Sequence, residues 1–266
     1  MTEIKPRAHS TLSSVTNAAR VLKEFRKGNR EIGVTELSRR LGIGKSTAHR
    51  LANTLAEERL LEQDPETGAY RLGLAMYELG LLVHWYADLH EACAPVLDQL
   101  RIATSETVQV AVLDGREVVY IERRESPRTL RLFRQVGHRN DAHCTSTGKL
   151  LLACLPPEKL AATVRGWKLR AHTPHTITRT DVLLTQLEVV RKRGWAENIN
   201  EAEVGVASVA APIRNGLGEV IAAVSIAGPV QRLAGDSMRR FSASSIEAGL
   251  AIGRRLGYRD TKGPNL

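Results

Sequence analysis

Aromatic residues are scarce: Phe, Tyr and Trp together make up 4% of the 266 residues. So few rings do not supply the stacking platforms that single-stranded nucleic acid needs. Cysteine is limited to Cys93, Cys144 and Cys154. Three scattered thiols make neither a disulfide framework nor a cysteine-based zinc site, and they suit a reducing cytoplasm. No apolar run approaches the ~18 residues of a membrane span. Residues 1–10 carry Lys5 and Arg7 but no apolar core, so neither a secretory signal nor a membrane partner is expected. Repeats and low-complexity tracts are absent. What remains is globular: 42% hydrophobic and 25% charged residues, in a chain long enough for two domains.

The net charge is +9, and it is unevenly placed. Between Lys5 and Arg50 stand 11 Lys and Arg against Glu24, Glu31 and Glu36. A basic excess so localised points to a polyanion partner.

Periodicity divides the chain. Val15, Ala18, Ala19, Leu22 and Phe25 fall at helical spacing, with Gly28 as a stop. Thr35 is placed to cap a short helix over 36–41, which Gly42 ends. A third helix starts near Lys45 and turns Ala48, Leu51, Ala52 and Leu55 to one face. Leu60–Gln63 and Ala69–Leu72 then read as strands around the turn Asp64–Gly68. Three short helices and a β-hairpin make a winged helix-turn-helix over 12–72. Ser38 and Gly42, four apart and small, are expected to let its helices approach closely. The start of the third helix carries Lys45, Ser46, Thr47, His49 and Arg50, donors suited to phosphates and base edges in a major groove. Arg71 in the hairpin can reach a phosphate. The partner expected is therefore a double-stranded DNA operator.

Residues 74–86 are apolar on most of a helical circumference, which fits a linker helix over 73–88 that joins two copies of the chain. From 89 to 258 the pattern mixes helices with hairpins, which indicates an α/β domain with a mainly antiparallel sheet and an α+β fold class overall. Strands are expected at 107–113 and 117–122 around Asp114-Gly115, then at 129–135, 195–198, 207–213 and 220–227. Helices are expected at 89–103, 147–154, 157–165, 179–193 and 235–256. Thr145–Lys149 lies where a loop enters a helix, a place that favours an anion.

The segment Leu41-Gly-Ile-Gly-Lys-Ser-Thr-Ala-His-Arg-Leu51, with the hairpin after it, resembles the DNA-binding domain of IclR-type bacterial transcriptional regulators. Ala142-His-Cys-Thr-Ser-Thr-Gly-Lys-Leu-Leu-Leu152, the strand 205–213 and Ala222-Ala-Val-Ser-Ile-Ala-Gly-Pro229 resemble three further segments of that family. The resemblance spans roughly residues 12–257, and it implies a GAF-like second domain that binds a small effector over its sheet. Matched residue by residue, it implies effector contacts at Ser146, Thr147, Asn198, Ser208 and Ser225, with Ala227 on the floor. Asn198 stands where glyoxylate- and pyruvate-type sensors carry Asp, and Ala227 where some members carry Ser. The effector expected is a small organic acid larger or more apolar than glyoxylate, with Val206, Val209 and Val224 as candidate walls. The family forms dimers and tetramers.

A different reading makes Cys144, beside His143, the nucleophile of a DNA-tethered enzyme. That would need a base and an oxyanion site that the sequence does not identify. His138, His143 and Cys144 could hold zinc only in a suitably folded loop, and His172 and His175 read as loop residues. The expectation is therefore a regulator rather than an enzyme, with no cofactor and no metal. Seven arginines between Arg116 and Arg139 are expected to be solvated or ion-paired.

Overall fold

The computed structural model describes residues 12–25, 29–82, 84–129 and 136–259. It divides into two compact units between His84 and Trp85. The expected stop at Gly28 and most of the expected strand 129–135 lie outside the described residues.

In the first unit α1 (Ser13–Glu24), α2 (Val34–Leu41) and α3 (Lys45–Glu57) precede a hairpin of β1 (Leu61–Gln63) and β2 (Tyr70–Leu72), and α4 (Leu74–Leu81) follows. Leu61 pairs with Leu72 and Gln63 with Tyr70. Asp64 Oδ1 accepts the N–H groups of Glu66 and Thr67 and so closes the turn. Val21, Phe25, Leu37, Leu41, Ala48, Ala52, Leu55, Leu61 and Tyr70 form the core. The ring of Tyr70 is fully buried, and its hydroxyl donates to Asn53 Oδ1.

Three local expectations are corrected. Val15 is 62% exposed and Val21 is fully buried, so the inward face of α1 follows the Val21–Phe25 line. Thr35 lies inside α2, and its N-cap is Gly33. Gly42 does not serve a close approach, because a Cβ there would meet nothing within 4 Å. It is instead the left-handed cap of α2, at φ +65°, a conformation that suits glycine. The Ser38 hydroxyl supports the same turn by donating to Ile43 O at 2.7 Å.

Where the apolar pattern predicts one helix over 74–86, α4 ends at Leu81 and α5 (His84–Thr104) begins anew. The second unit continues with β3 (Thr107–Asp114), β4 (Glu117–Arg124), β5 (Arg139–Asp141) and a 3-10 turn over Ala142–Cys144. Then come α6 (Ser146–Ala153), α7 (Pro157–Val164), α8 (Thr180–Arg193), β6 (Ala196–Ile199), β7 (Val206–Arg214) and β8 (Val220–Pro229). The short α9 (Val230–Leu233) and long α10 (Asp236–Arg255) complete it.

The sheet has six strands in the order β5-β4-β3-β8-β7-β6, every neighbouring pair antiparallel. Alternation along the strands sends residues to two faces. Val108, Val110, Val209, Ala211, Val224 and Ile226 pack with Leu97 of α5 and Phe241 of α10. Ala111, Ala210 and Ala223 pack with Leu150 of α6 and Leu187 of α8 on the other side. Several of the arginines expected to be solvated or ion-paired hold this unit together. Arg116 donates to Thr163 O and Arg165 O at the end of α7, at 2.8 and 2.7 Å, and Arg139 bridges Asp114 and Glu117. Among the described residues no helix is long and apolar enough to cross a membrane.

Candidate functional site

In the first unit the basic residues converge on the start of α3. Lys45, Ser46, His49 and Arg50 are exposed, and Thr47 is half-buried. The N-cap is Gly44, which has no side chain to take up the first-turn N–H groups. These donors therefore face outward with the positive end of the helix dipole, as an anion requires. The turn that aims α3 is braced from behind, because Arg20 donates to Leu41 O at 2.8 Å. Arg39 and Arg40 both pair with Glu36, and their hydrogen bonds hold its carboxyl down at about 2. On the hairpin, Arg71 pairs with Glu62 across the strands at 3.0 Å.

In the second unit the predicted effector residues come together on the sheet face beneath α6. Asn198 stands opposite Ser208, Ser208 opposite Ala227, and Ala227 opposite Thr107. Ser225 is one step along the same face, opposite Gln109. Ser146 closes over this row, its Oγ 2.8 Å from Ser208 Oγ. Asn198 Oδ1 is partly committed, accepting the N–H of Glu201 at 2.9 Å. Thr147 Oγ1 and Ser225 Oγ are buried with no hydrogen-bond partner. Buried polar atoms are almost always satisfied, so these two hydroxyls are unusual in having no partner within the chain.

The cap of α6 is Thr145, whose Oγ1 accepts Gly148 N at 3.1 Å, so Ser146 and Thr147 sit in the first turn rather than capping it. Two of the expected walls face away. Val209 and Val224 belong to the core on the α5 and α10 side, because odd and even positions of β7 alternate faces and Ser225 likewise alternates with Val224 on β8.

Sequence reasoning missed an ion pair here. Lys149, 2% exposed, donates to Glu201 Oε1 at 2.5 Å. Glu201 Oε2 is buried without a partner, and burial pushes this carboxyl above its usual range against the pull of Lys149. Nothing in the sequence marks the two as partners across 52 positions. A cavity of about 780 Å³ at the far end of α6 is lined by Leu113, Leu151, Cys154, Arg191 and Arg214, and by none of the predicted effector residues.

Cys144 is buried, and its thiol donates to Asp141 O at 3.3 Å. Burial pushes the thiol up to about 12, so it is protonated at neutral pH, the opposite of an activated nucleophile. His143 Nε2 donates to Arg170 O at 3.0 Å, which leaves Nδ1 as the ring's unprotonated nitrogen, but the buried thiol is held too high to be primed for attack. His138 lies apart from this pair, its Nε2 3.0 Å from Asn140 Oδ1, whereas His172 joins them: one ligand atom each from His143, Cys144 and His172 lies within 4.8 Å of the others.

Comparison with known proteins agrees with both halves of this architecture. Residues 14–65 match the IclR helix-turn-helix domain, and residues 83–254 match the bacterial transcriptional regulator IclR C-terminal domain. The regulator XynR of Escherichia coli is 34% identical over 93% of this chain and 98% of its own. The regulator KdgR of Dickeya chrysanthemi is 34% identical over 94% of this chain and 82% of its own. An IclR homologue from Microbacterium hydrocarbonoxydans, solved with 4-hydroxybenzoate, superposes with a TM-score of 0.81 at 27% identity, over 92% of this chain and 99% of that one. These relatives are transcriptional regulators rather than enzymes. The helix-turn-helix unit and the ligand-type sheet domain are thus a DNA-binding half and an effector half, and the chain belongs to the IclR family of bacterial transcriptional regulators.

Proposed function

We propose that this chain is a cytoplasmic regulator that reads an operator through the start of α3 and changes its hold on DNA when a small organic acid binds over the sheet. The division of labour follows 12–72 for DNA, 73–88 as a linker and 89–258 for the effector. The observation that carries the effector assignment is the polar row Asn198–Ser208 beneath the N-terminus of α6, beside the partnerless hydroxyls of Thr147 and Ser225. First-turn N–H groups attract a carboxylate. Ala227 and Val206 offer it apolar company. The 4-hydroxybenzoate bound to the Microbacterium relative supports an acid with an apolar body. Regulation is by linkage: an acid that prefers one arrangement of paired DNA-binding units shifts DNA affinity, and DNA shifts acid affinity by the same factor.

Calorimetry against a panel of aliphatic and aromatic acids tests this reading. We expect binding by the parent chain and none by the variant that combines Asn198→Ala with Ser208→Ala, with the thermal transition retained. Binding only of neutral sugars or amines, or an undiminished double variant, overturns the acid site.

On the DNA side, Arg50→Ala should weaken operator binding by about 1–3 kcal/mol, the usual loss for one specific contact, and relax discrimination between sites. Fluorescence anisotropy at fixed salt reads it, and an unchanged affinity in a folded variant removes Arg50 from the interface.

Reading two half-sites needs a symmetric pair. The chain offers α4 for it, with Leu74, Tyr77, Leu79 and Leu82 each at least half exposed. Leu82→Glu should leave the single chain folded, since Leu82 is 65% exposed, but should bury an unpaired charge in a pair. Light scattering should then show a shift toward monomer, and an unchanged oligomer contradicts the assignment.

A further inference from the structure

The turn before α6 and the loop that follows α7 meet in a cluster that no regulatory contact explains. His143 and Cys144 sit in the 3-10 turn and are 0% and 1% exposed. His172 comes from the loop and faces solvent on one side. One ligand atom from each lies within 4.8 Å of the other two.

Hydrogen bonding settles which nitrogens are open. His143 Nε2 lies 3.0 Å from Arg170 O. A carbonyl only accepts, so Nε2 carries the proton and Nδ1 of the neutral ring carries a bare lone pair. That Nδ1 is buried and has no hydrogen-bond partner, an orphan that a second ring or a water would ordinarily satisfy. His172 repeats the pattern, with Nε2 on Asp141 Oδ2 at 2.7 Å. A carboxylate behind an imidazole fixes the ring and raises its basicity, as in carboxylate–histidine–zinc arrangements. Trp167 packs edge-on against His143 with centroids 5.4 Å apart, so the buried ring has little freedom to turn away.

We propose that His143, Cys144 and His172 form a binding site for a zinc-type divalent transition metal. Two imidazoles and a thiolate are a donor set for borderline-soft ions such as Zn²⁺, not for Mg²⁺ or Ca²⁺. Bond lengths of about 2.0–2.3 Å in a tetrahedral site hold ligand atoms roughly 3.3–3.8 Å apart. Closing from the present spacing needs the ligand atoms to draw together by about 1 Å. Sγ binds as thiolate, its proton passing to solvent through the same opening. The fourth position stays open for water or an added anion.

The metal would fasten two segments that also bear on the sheet site. Thr173 and Thr176, in the His172 loop, donate to Asn200 O and Glu201 O at 2.6 Å each. Glu201 in turn holds Lys149 of α6. The metal proposal stands on its own donors and does not depend on which effector binds.

The test uses the full chain, untagged, stripped with chelator and titrated with Zn²⁺ against a chromophoric competitor. We expect one tight site per chain, a rise in melting temperature on loading, and a thiolate charge-transfer band when Co²⁺ replaces Zn²⁺. Cys144→Ala and His172→Ala should abolish all three. His172 is solvent-facing, so its variant should fold even if the buried thiol's does not. Asp141→Asn should weaken binding by about 10–100-fold, the usual effect of losing the group behind a ligand. His175→Ala, outside the cluster, should bind as the parent does. Substoichiometric zinc, a Co²⁺ spectrum without the thiolate band, or equal binding by the parent and both ligand variants overturns the site.

Discussion

Lys149→Met should destabilise the second unit by about 3–5 kcal/mol at neutral pH, the range found when one partner of a buried ion pair is removed. The methionine keeps the volume of the side chain and removes its charge. Glu201 is then left with one buried oxygen that already lacks a partner and a second that has lost its donor. The effect should depend on pH in a defined sense. Burial already raises the Glu201 carboxyl in the folded chain. A group raised on folding contributes its stability below the unfolded value and loses it as pH rises through the folded one. Without Lys149 the folded value rises further, because the charge that opposed burial is gone. The variant should therefore sit closest to the parent at acid pH, where the carboxyl is protonated in both states, and fall behind as pH climbs to neutrality. Urea unfolding at a series of pH values, followed through the fluorescence of Trp167 and Trp195, measures this. A loss of the same size at every pH would show that packing, not charge, is what Lys149 supplies.

Local signals made most of the architecture readable. The hairpin at Asp114-Gly115 appears as β3 and β4, with Gly115 at φ +64°. The apolar spacing of Ala48, Ala52 and Leu55 appears as the buried side of α3, and the basic donors at its start are exposed as the pattern requires. What failed did so for physical reasons. β5 has three residues and no periodicity to detect. Pairing with β4 and the bond from Ala142 N to Arg116 O secure it, and both are long-range. The cap of α2 falls at Gly33 rather than at Thr35, since helix ends shift by one or two residues of backbone register.

The candidate sites divide the same way. The row of Asn198, Ser208 and Ala227 was legible only through resemblance, because strand pairing sets those three side by side and spacing in the sequence does not. Lys149 reads in sequence as one more residue at a helix start, since lysine is rarely buried. Its burial depends on an acid 52 positions away. His172 is a loop residue, as its sequence context indicates, and only the path of the chain after α7 brings it to Cys144.

Gly148→Ala should damage the second unit severely for a change of one methyl. Glycine at 148 looks incidental in sequence, as it sits inside a helix, where it costs about 1 kcal/mol relative to alanine. On propensity alone the substitution would stabilise α6. The packing reverses that sign. A Cβ at 148 would lie 2.2 Å from Ala142 O, 2.4 Å from Ala142 Cα and 2.6 Å from Ala142 C. All three are backbone atoms, so no rotamer change can make room. The turn over Ala142–Cys144 is itself fixed by Ala142 N on Arg116 O and by His143 on Arg170 O. Either α6 must lift from the sheet, separating Ser146 from Ser208, or the turn must break those bonds. We expect a loss above the usual overpacking range of about 1–3 kcal/mol, with acid binding falling in step as Ser146 leaves the polar row. Gly166→Ala is the control, at a site where a Cβ meets nothing within 4 Å and φ is +64°; it carries only the local backbone strain of about 1–3 kcal/mol and should leave acid affinity unchanged in the folded protein. Thermal unfolding and calorimetry on the two variants separate the outcomes. If Gly148→Ala melts with the parent, α6 does not rest on the turn through its backbone, and the placement of Ser146 and Thr147 over the sheet loses its support.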